Sequence, residues 1–145
     1  MQEHSNLLSQ ALSRQLERHT INSNICVAAA TYFAVVARYE RLVYKIEPTS
    51  AVSKTLQACA SLHEHEGEEY LWRVAWPLFV GGLETNDPIH QSWVLDRFSN
   101  LQERGENMRR AKLLLEAVFL EQRVTKLRVD YLALMRTGLV ESFVI

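Results

Sequence analysis

The chain has 145 residues, of which 48% are apolar and 23% charged, and its formal net charge is −1. That length suits one domain, able to bury roughly 68–70% of its unfolded surface. The near-zero charge excludes a global attraction to nucleic acid or to acidic membranes.

Apolar residues recur at three- and four-residue steps, and nothing alternates with the two-residue period of a strand. The expected fold is therefore all-α, an irregular bundle of six or seven helices. A first helix is expected over Asn6–Arg18, with Ser5 as its cap and Leu8, Ala11, Leu12 and Leu16 as its apolar stripe. Met1 is followed by polar QEHSN, which carries no signal-peptide pattern. A second helix is expected over Asn24–Ile46. Its residues Ile25, Ala29, Tyr32, Val36, Tyr39, Val43 and Ile46 step by four and three, close to a heptad seam. Its middle is apolar all round, which predicts a central position. The apolar run 25–37 is only about half to two-thirds of a membrane span, so it reads as a buried helix.

Pro48 closes that segment, and a third helix is expected over Ser50–His63, with Val52, Leu56, Cys59, Ala60 and Leu62 inward. Cys26 and Cys59 are the two cysteines. Both sit in apolar helical surroundings, which predicts buried thiols and a reducing compartment. The stretch 63–69, HEHEGEE, reads as an exposed acidic loop. A metal site is the competing reading. On a helix, however, His63 and His65 point about 200° apart, and no third ligand is signalled.

Residues 72–93, WRVAWPLFVGGLETNDPIHQSW, hold three tryptophans, two prolines and a glycine pair. A fourth helix is expected over Glu69–Val80, kinked at Pro77, which lacks a backbone donor and presses on the carbonyl of Arg73. Trp72, Ala75, Trp76 and Phe79 mark one face; Leu71, Val74 and Leu78 mark the other. Gly81 and Gly82 are expected to supply a left-handed cap. Asp87 caps a fifth helix with Pro88 at its first position, and Trp93, Val94, Phe98 and Leu101 face inward. The segment's expected work is to pack two helices together. Trp72, Trp76, Phe79 and Trp93 read as core, with a small-molecule pocket as the competing reading.

Gly105 breaks the chain, and a last helix starts near Glu106. Ala111, Leu114, Leu115, Val118 and Phe119 form its first stripe; Val124, Leu127, Tyr131, Leu134 and Met135 form a second. The sequence leaves open whether these belong to one helix or two. Gly138 ends the pattern, before the apolar tail LVESFVI. Residues 1–96 carry 7 basic and 11 acidic side chains, and residues 97–136 carry 9 and 5. Arg104, Arg109, Arg110 and Lys112 form a basic cluster at a helix start, a candidate surface for phosphates or an acidic partner. Glu103 and Glu106 offset it, and a solvated face is the simpler reading.

Four stretches together resemble one known family. They are Trp76-Pro77-Leu78-Phe79-Val80-Gly81-Gly82-Leu83-Glu84; Asp87-Pro88 followed by Trp93-Val94-Leu95; Asn107, Ala111 and the run 114–119; and Asp130-Tyr131-Leu132-Ala133-Leu134-Met135 before Gly138. Over about residues 25–140 the chain resembles the C-terminal part of the fungal-specific transcription factor domain, the regulatory region of fungal zinc-cluster transcription factors. It departs from that pattern at Gly81, where alanine is usual, and at Phe119 and Tyr131, where tryptophan is frequent. The family's zinc cluster needs six cysteines, against two here. The resemblance thus implies a non-enzymatic regulatory or interaction module with no cofactor and no direct DNA binding by this chain. It implies nuclear location, with the cytosol as the alternative. The implied partner is another protein or a second copy, met through the faces of helices two and six and the apolar tail. A sensor of a small apolar ligand is the alternative function. The sequence carries no nucleophile elbow, phosphate loop or zincin motif.

Overall fold

The structure is a computed structural model, and it describes residues 2–17 and 23–126. The described residues are helical almost throughout, in the order α1 (Gln2–Glu17), α2 (Ser23–Tyr39), a π turn (Glu40–Tyr44), α3 (Thr49–Glu66), a 3-10 segment (Glu68–Val74), α4 (Ala75–Glu84), α5 (Pro88–Leu101), a short 3-10 turn (Gln102–Arg104) and α6 (Glu106–Thr125). The all-α architecture expected from the periodicity is present. The chain divides into two compact units, residues 1–85 and 86–145.

In the first unit α2 is central and packs on α1, α3 and α4. Its pairing with α3 is antiparallel, marked at two points. The Ser23 hydroxyl donates to Glu66 at 2.6 Å, and the Lys54 ammonium lies 5.1 Å from the Phe33 ring centre. The buried side of α2 consists of Cys26, Ala29, Ala30, Phe33, Ala34 and Ala37. This corrects the expected heptad seam. Of its seven residues only Ala29 is buried, while Tyr39, Val43 and Ile46 are exposed. The neighbouring helices select the small residues because alanine and cysteine let backbones approach closely. The larger residues of the seam are left on the other side.

The expected helix over Asn24–Ile46 also ends its α geometry early. No residue of the π turn is buried. Lys45 closes the turn in the left-handed conformation (φ 58°), and its N–H donates to the Glu40 carbonyl.

α3 runs to Glu66, so His63–Glu66 form its last turn and not a loop, and the break falls at Gly67 (φ 89°). The break expected at Pro77 takes the form of a change of helix type. The 3-10 segment gives way to α4 at Val74 (φ −116°, ψ 21°), three residues before the proline. Pro77 then occupies the first turn of α4, where a missing N–H costs nothing. Gly81 and Gly82 do not cap. Both lie inside α4, which ends at an extended Thr85. A Cβ on Gly81 would fall 2.7 Å from Leu56 Cδ2, so its smallness permits the close approach of α4 to α3.

In the second unit α5 and α6 pack together. The Asp87 carboxylate caps α5 by accepting from the Ile89 N–H at 2.8 Å, and Pro88 opens the helix. Gly105 (φ 153°) separates the short 3-10 turn from α6. Gln91 Nε2 donates to Gln122 Oε1 at 2.8 Å, which joins the start of α5 to the end of α6 and makes the pair a hairpin. The first stripe of α6, Ala111, Leu114, Leu115, Val118 and Phe119, is fully buried as expected. Val124 of the second stripe is exposed, and α6 closes at Lys126 in the left-handed conformation. The remainder of that stripe, Gly138 and the apolar tail lie outside the described residues.

Candidate functional site

The strongest electrostatic feature of the first unit is a buried carboxylate. The Glu84 side chain is fully shielded at the end of α4, and two guanidinium groups meet it there. Arg38 Nη1 donates to one oxygen at 3.0 Å, and Arg41 Nε donates to the other at 2.9 Å. Arg41 also grips Glu47 bidentately, at 2.9 and 2.8 Å. Burial opposes the charge on the Arg41 guanidinium, but the hydrogen bonds it donates to the Glu47 and Glu84 carboxylates outweigh that and hold it firmly charged. A buried carboxylate with one partner removed would cost several kcal/mol, so the three-residue arrangement binds the π turn to α4.

That anchoring presents an apolar surface. Leu42, Val43, Tyr44 and Ile46 are 52%, 55%, 62% and 51% exposed. Tyr39 and Tyr44 pack edge to face, with ring centres 5.2 Å apart. Scattered exposed apolar residues need no explanation, whereas these four lie close together in sequence beside a buried ion cluster. In the second unit α6 carries a smaller exposed set, Leu113, Leu120 and Val124.

The aromatic set Trp72, Trp76, Phe79 and Trp93 is divided. The first three belong to the first unit and Trp93 to the second. Phe79 is buried, but Trp72 and Trp76 are 51% and 36% exposed, which corrects their reading as core. The opposite face, Leu71, Val74 and Leu78, is fully buried and performs the packing. Trp93 is half-buried, with the Arg97 guanidinium 5.4 Å from its ring centre.

The basic cluster is a solvated face. Arg109 and Arg110 both pair with Glu106 one turn earlier. The Arg109 hydrogen bond holds the Glu106 carboxyl down at about 2. Lys112 pairs with Glu116 at 3.5 Å, and Arg104 is exposed. His63 pairs with Glu68 at 3.1 Å across the Gly67 break, and His65 is exposed. Among the described residues no three His, Cys, Asp or Glu side chains are placed to hold a metal ion. Cys26 and Cys59 are free and buried, as expected. Burial raises both thiols above their ordinary range, which makes them poor nucleophiles. Among the described residues no helix is long and apolar enough to cross a membrane.

Sequence reasoning missed the Arg38–Glu84–Arg41 cluster. Glu84 closes the run LFVGGLE, and an acidic residue directly after an apolar helix usually meets water. Its pairing with arginines more than 40 positions away has no local signal.

No curated protein and no solved structure matches the chain. The model of the fungal specific transcription factor domain matches residues 1–141, further toward the N-terminus than the four motif stretches reach. With nearly its whole length so matched, the chain belongs to the fungal specific transcription factor domain family.

Proposed function

We propose that this chain is a regulatory module of zinc-cluster transcription factor descent that acts in the nucleus through contacts with other protein chains, without chemistry of its own. Family membership supports a role in transcriptional regulation. The observation that carries the protein-contact reading is the exposed row Leu42, Val43, Tyr44 and Ile46, anchored by Arg41. A rigid, half-exposed apolar surface with a polar rim has the composition of a protein interface. The face of α6 bearing Leu120 and Val124 is a second such surface.

A small-ligand sensor built on Trp72, Trp76 and Phe79 has weaker support. Sites that recognise small molecules enclose most of the ligand, whereas two of these three rings stand on the surface.

The test is a reporter assay. The chain is fused to an unrelated DNA-binding domain, and transcription is compared with that of the DNA-binding domain alone. The fusion should change reporter output, and Leu42→Asp with Val43→Asp should abolish the change at equal protein level. Unchanged output from the wild-type fusion, or full activity of the double variant, would defeat the proposal.

A further inference from the structure

The 3-10 segment and the first turn of α4 carry aromatic rings that the core does not use. Trp72 is 51% exposed, Tyr70 39% and Trp76 36%. Leu71, Val74 and Ala75 between them are buried, so the backbone is fixed while the rings meet water. Among the described residues no cation and no second ring packs on Tyr70 or Trp76. Trp93 differs, because Arg97 already lies over its ring. We infer that this surface holds an arginine-bearing basic segment of another polypeptide. A guanidinium would stack on Trp72 or Trp76, and Glu64 and Glu69 would take the neighbouring cations.

Charge complementarity selects that occupant. Residues 63–69 hold four glutamates, Glu64, Glu66, Glu68 and Glu69, and no lysine or arginine. His63 offsets Glu68 at 3.1 Å, and Glu66 accepts from Ser23. Glu64 and Glu69 are exposed, and Glu64 forms no ion pair among the described residues. Glu64 and Glu66 occupy the last turn of α3, where the negative end of the helix dipole opposes carboxylates and deepens the negative potential. Gly67 alone separates α3 from the 3-10 segment, so these charges lie within a turn or two of the rings. Residues three apart in a 3-10 turn eclipse one another, which sets Glu69 in line with Trp72. Arg73, the nearest arginine or lysine in sequence, turns to Asn24 at 2.9 Å. A purely apolar partner would desolvate the carboxylates with no counter-charge, and an acidic partner would be repelled. Asn24 lies at the start of α2 and the π turn follows its end, so this surface stands without the reading given to Leu42–Ile46.

The test titrates the isotope-labelled full chain with a peptide of about ten residues in which arginine alternates with alanine, at about 50 mM salt to limit screening. The indole N–H resonances of Trp72 and Trp76 should move and saturate with Kd of about 100 µM, while that of Trp93 stays in place. The same peptide with glutamate for arginine should leave all three unmoved. Trp72→Ala with Trp76→Ala should weaken binding about tenfold, and Glu64→Gln with Glu69→Gln about fivefold. Glu116→Gln with Glu121→Gln removes the same charge from α6 and should change affinity by less than about twofold. If the alanine pair loses its helical circular dichroism, Trp72→Phe with Trp76→Phe carries the test, with a loss of about threefold expected from the weaker ring. Absence of saturable binding, equal movement of the Trp93 resonance, unchanged affinity in the tryptophan variants, or an equal loss in the α6 control would each overturn the inference.

Discussion

The two units of this protein differ in how far small side chains enter their cores: the first mixes alanine and cysteine with larger residues, and the second is built almost wholly from large ones. In the first, the contact of α2 with α3 and α4 relies on Cys26, Ala29, Ala30, Ala34 and Ala37, with Ala51, Ala58 and Cys59 across from them and Gly81 against Leu56. In the second, α5 and α6 meet through Val94, Phe98, Leu101, Leu114, Leu115, Val118 and Phe119. Small side chains bring backbones close and leave little slack, so added volume has nowhere to go. Large side chains hold the helices further apart, and their loss leaves a cavity that the helices cannot collapse to fill. The small-residue side of α2 should therefore be the place most sensitive to overpacking, and the hairpin of α5 and α6 should be sensitive chiefly to truncation.

The largest effect should come from Phe119→Ala. Phe119 is 1% exposed, and the cavity should cost the second unit about 3–5 kcal/mol, read from amide hydrogen exchange of α5 and α6. A loss below about 1 kcal/mol would mean that the hairpin repacks freely, and the contrast between the units would vanish. Next in size is Ala30→Leu, which adds volume at a fully buried position of α2. A cost of about 1–3 kcal/mol in urea unfolding is expected, with exchange protection lost first in α2 and α3. Should the larger residue stabilise the protein, the close contact is less tight than described. The smallest effect should be that of Trp72→Ala. Its indole is half exposed, so stability should change by no more than about 0.5 kcal/mol, and the emission of the wild-type indole should be that of a partly hydrated ring. A cost above about 3 kcal/mol would return Trp72 to the core, as its sequence pattern suggested.

That pattern shows where reading from sequence succeeded and where it failed. The capped start of α5 at Asp87-Pro88, the break at Gly105 and the buried stripe of α6 were all legible, because each depends on residues within one or two turns. The mistakes share one cause. The heptad seam of α2 and the tryptophan face that runs from the 3-10 segment into α4 were genuine apolar stripes. Each lay beside a second apolar stripe, Cys26–Ala37 in one case and Leu71–Leu78 in the other. Periodicity identifies both faces of such a helix and cannot rank them. The glycine pair failed similarly: a cap and a close helix contact both favour glycine, and only the position of Leu56 separates them. Of the candidate surface, a face of helix two was expected to meet a partner, but Val43 and Ile46 were placed on its heptad seam, and the cluster around Glu84 was not visible at all.

The residues themselves determined the helical period, the caps at Asp87 and Gly105, the buried thiols and the family membership, since backbone hydrogen bonding and side-chain spacing act locally. Which of two apolar faces turns inward, where α2 relaxes into its π turn, and how Arg38 and Arg41 converge on Glu84 were decided by the tertiary structure. The physical reason is that burial, close approach and charge pairing are energies between distant segments, and they acquire a value only when the chain has brought those segments together.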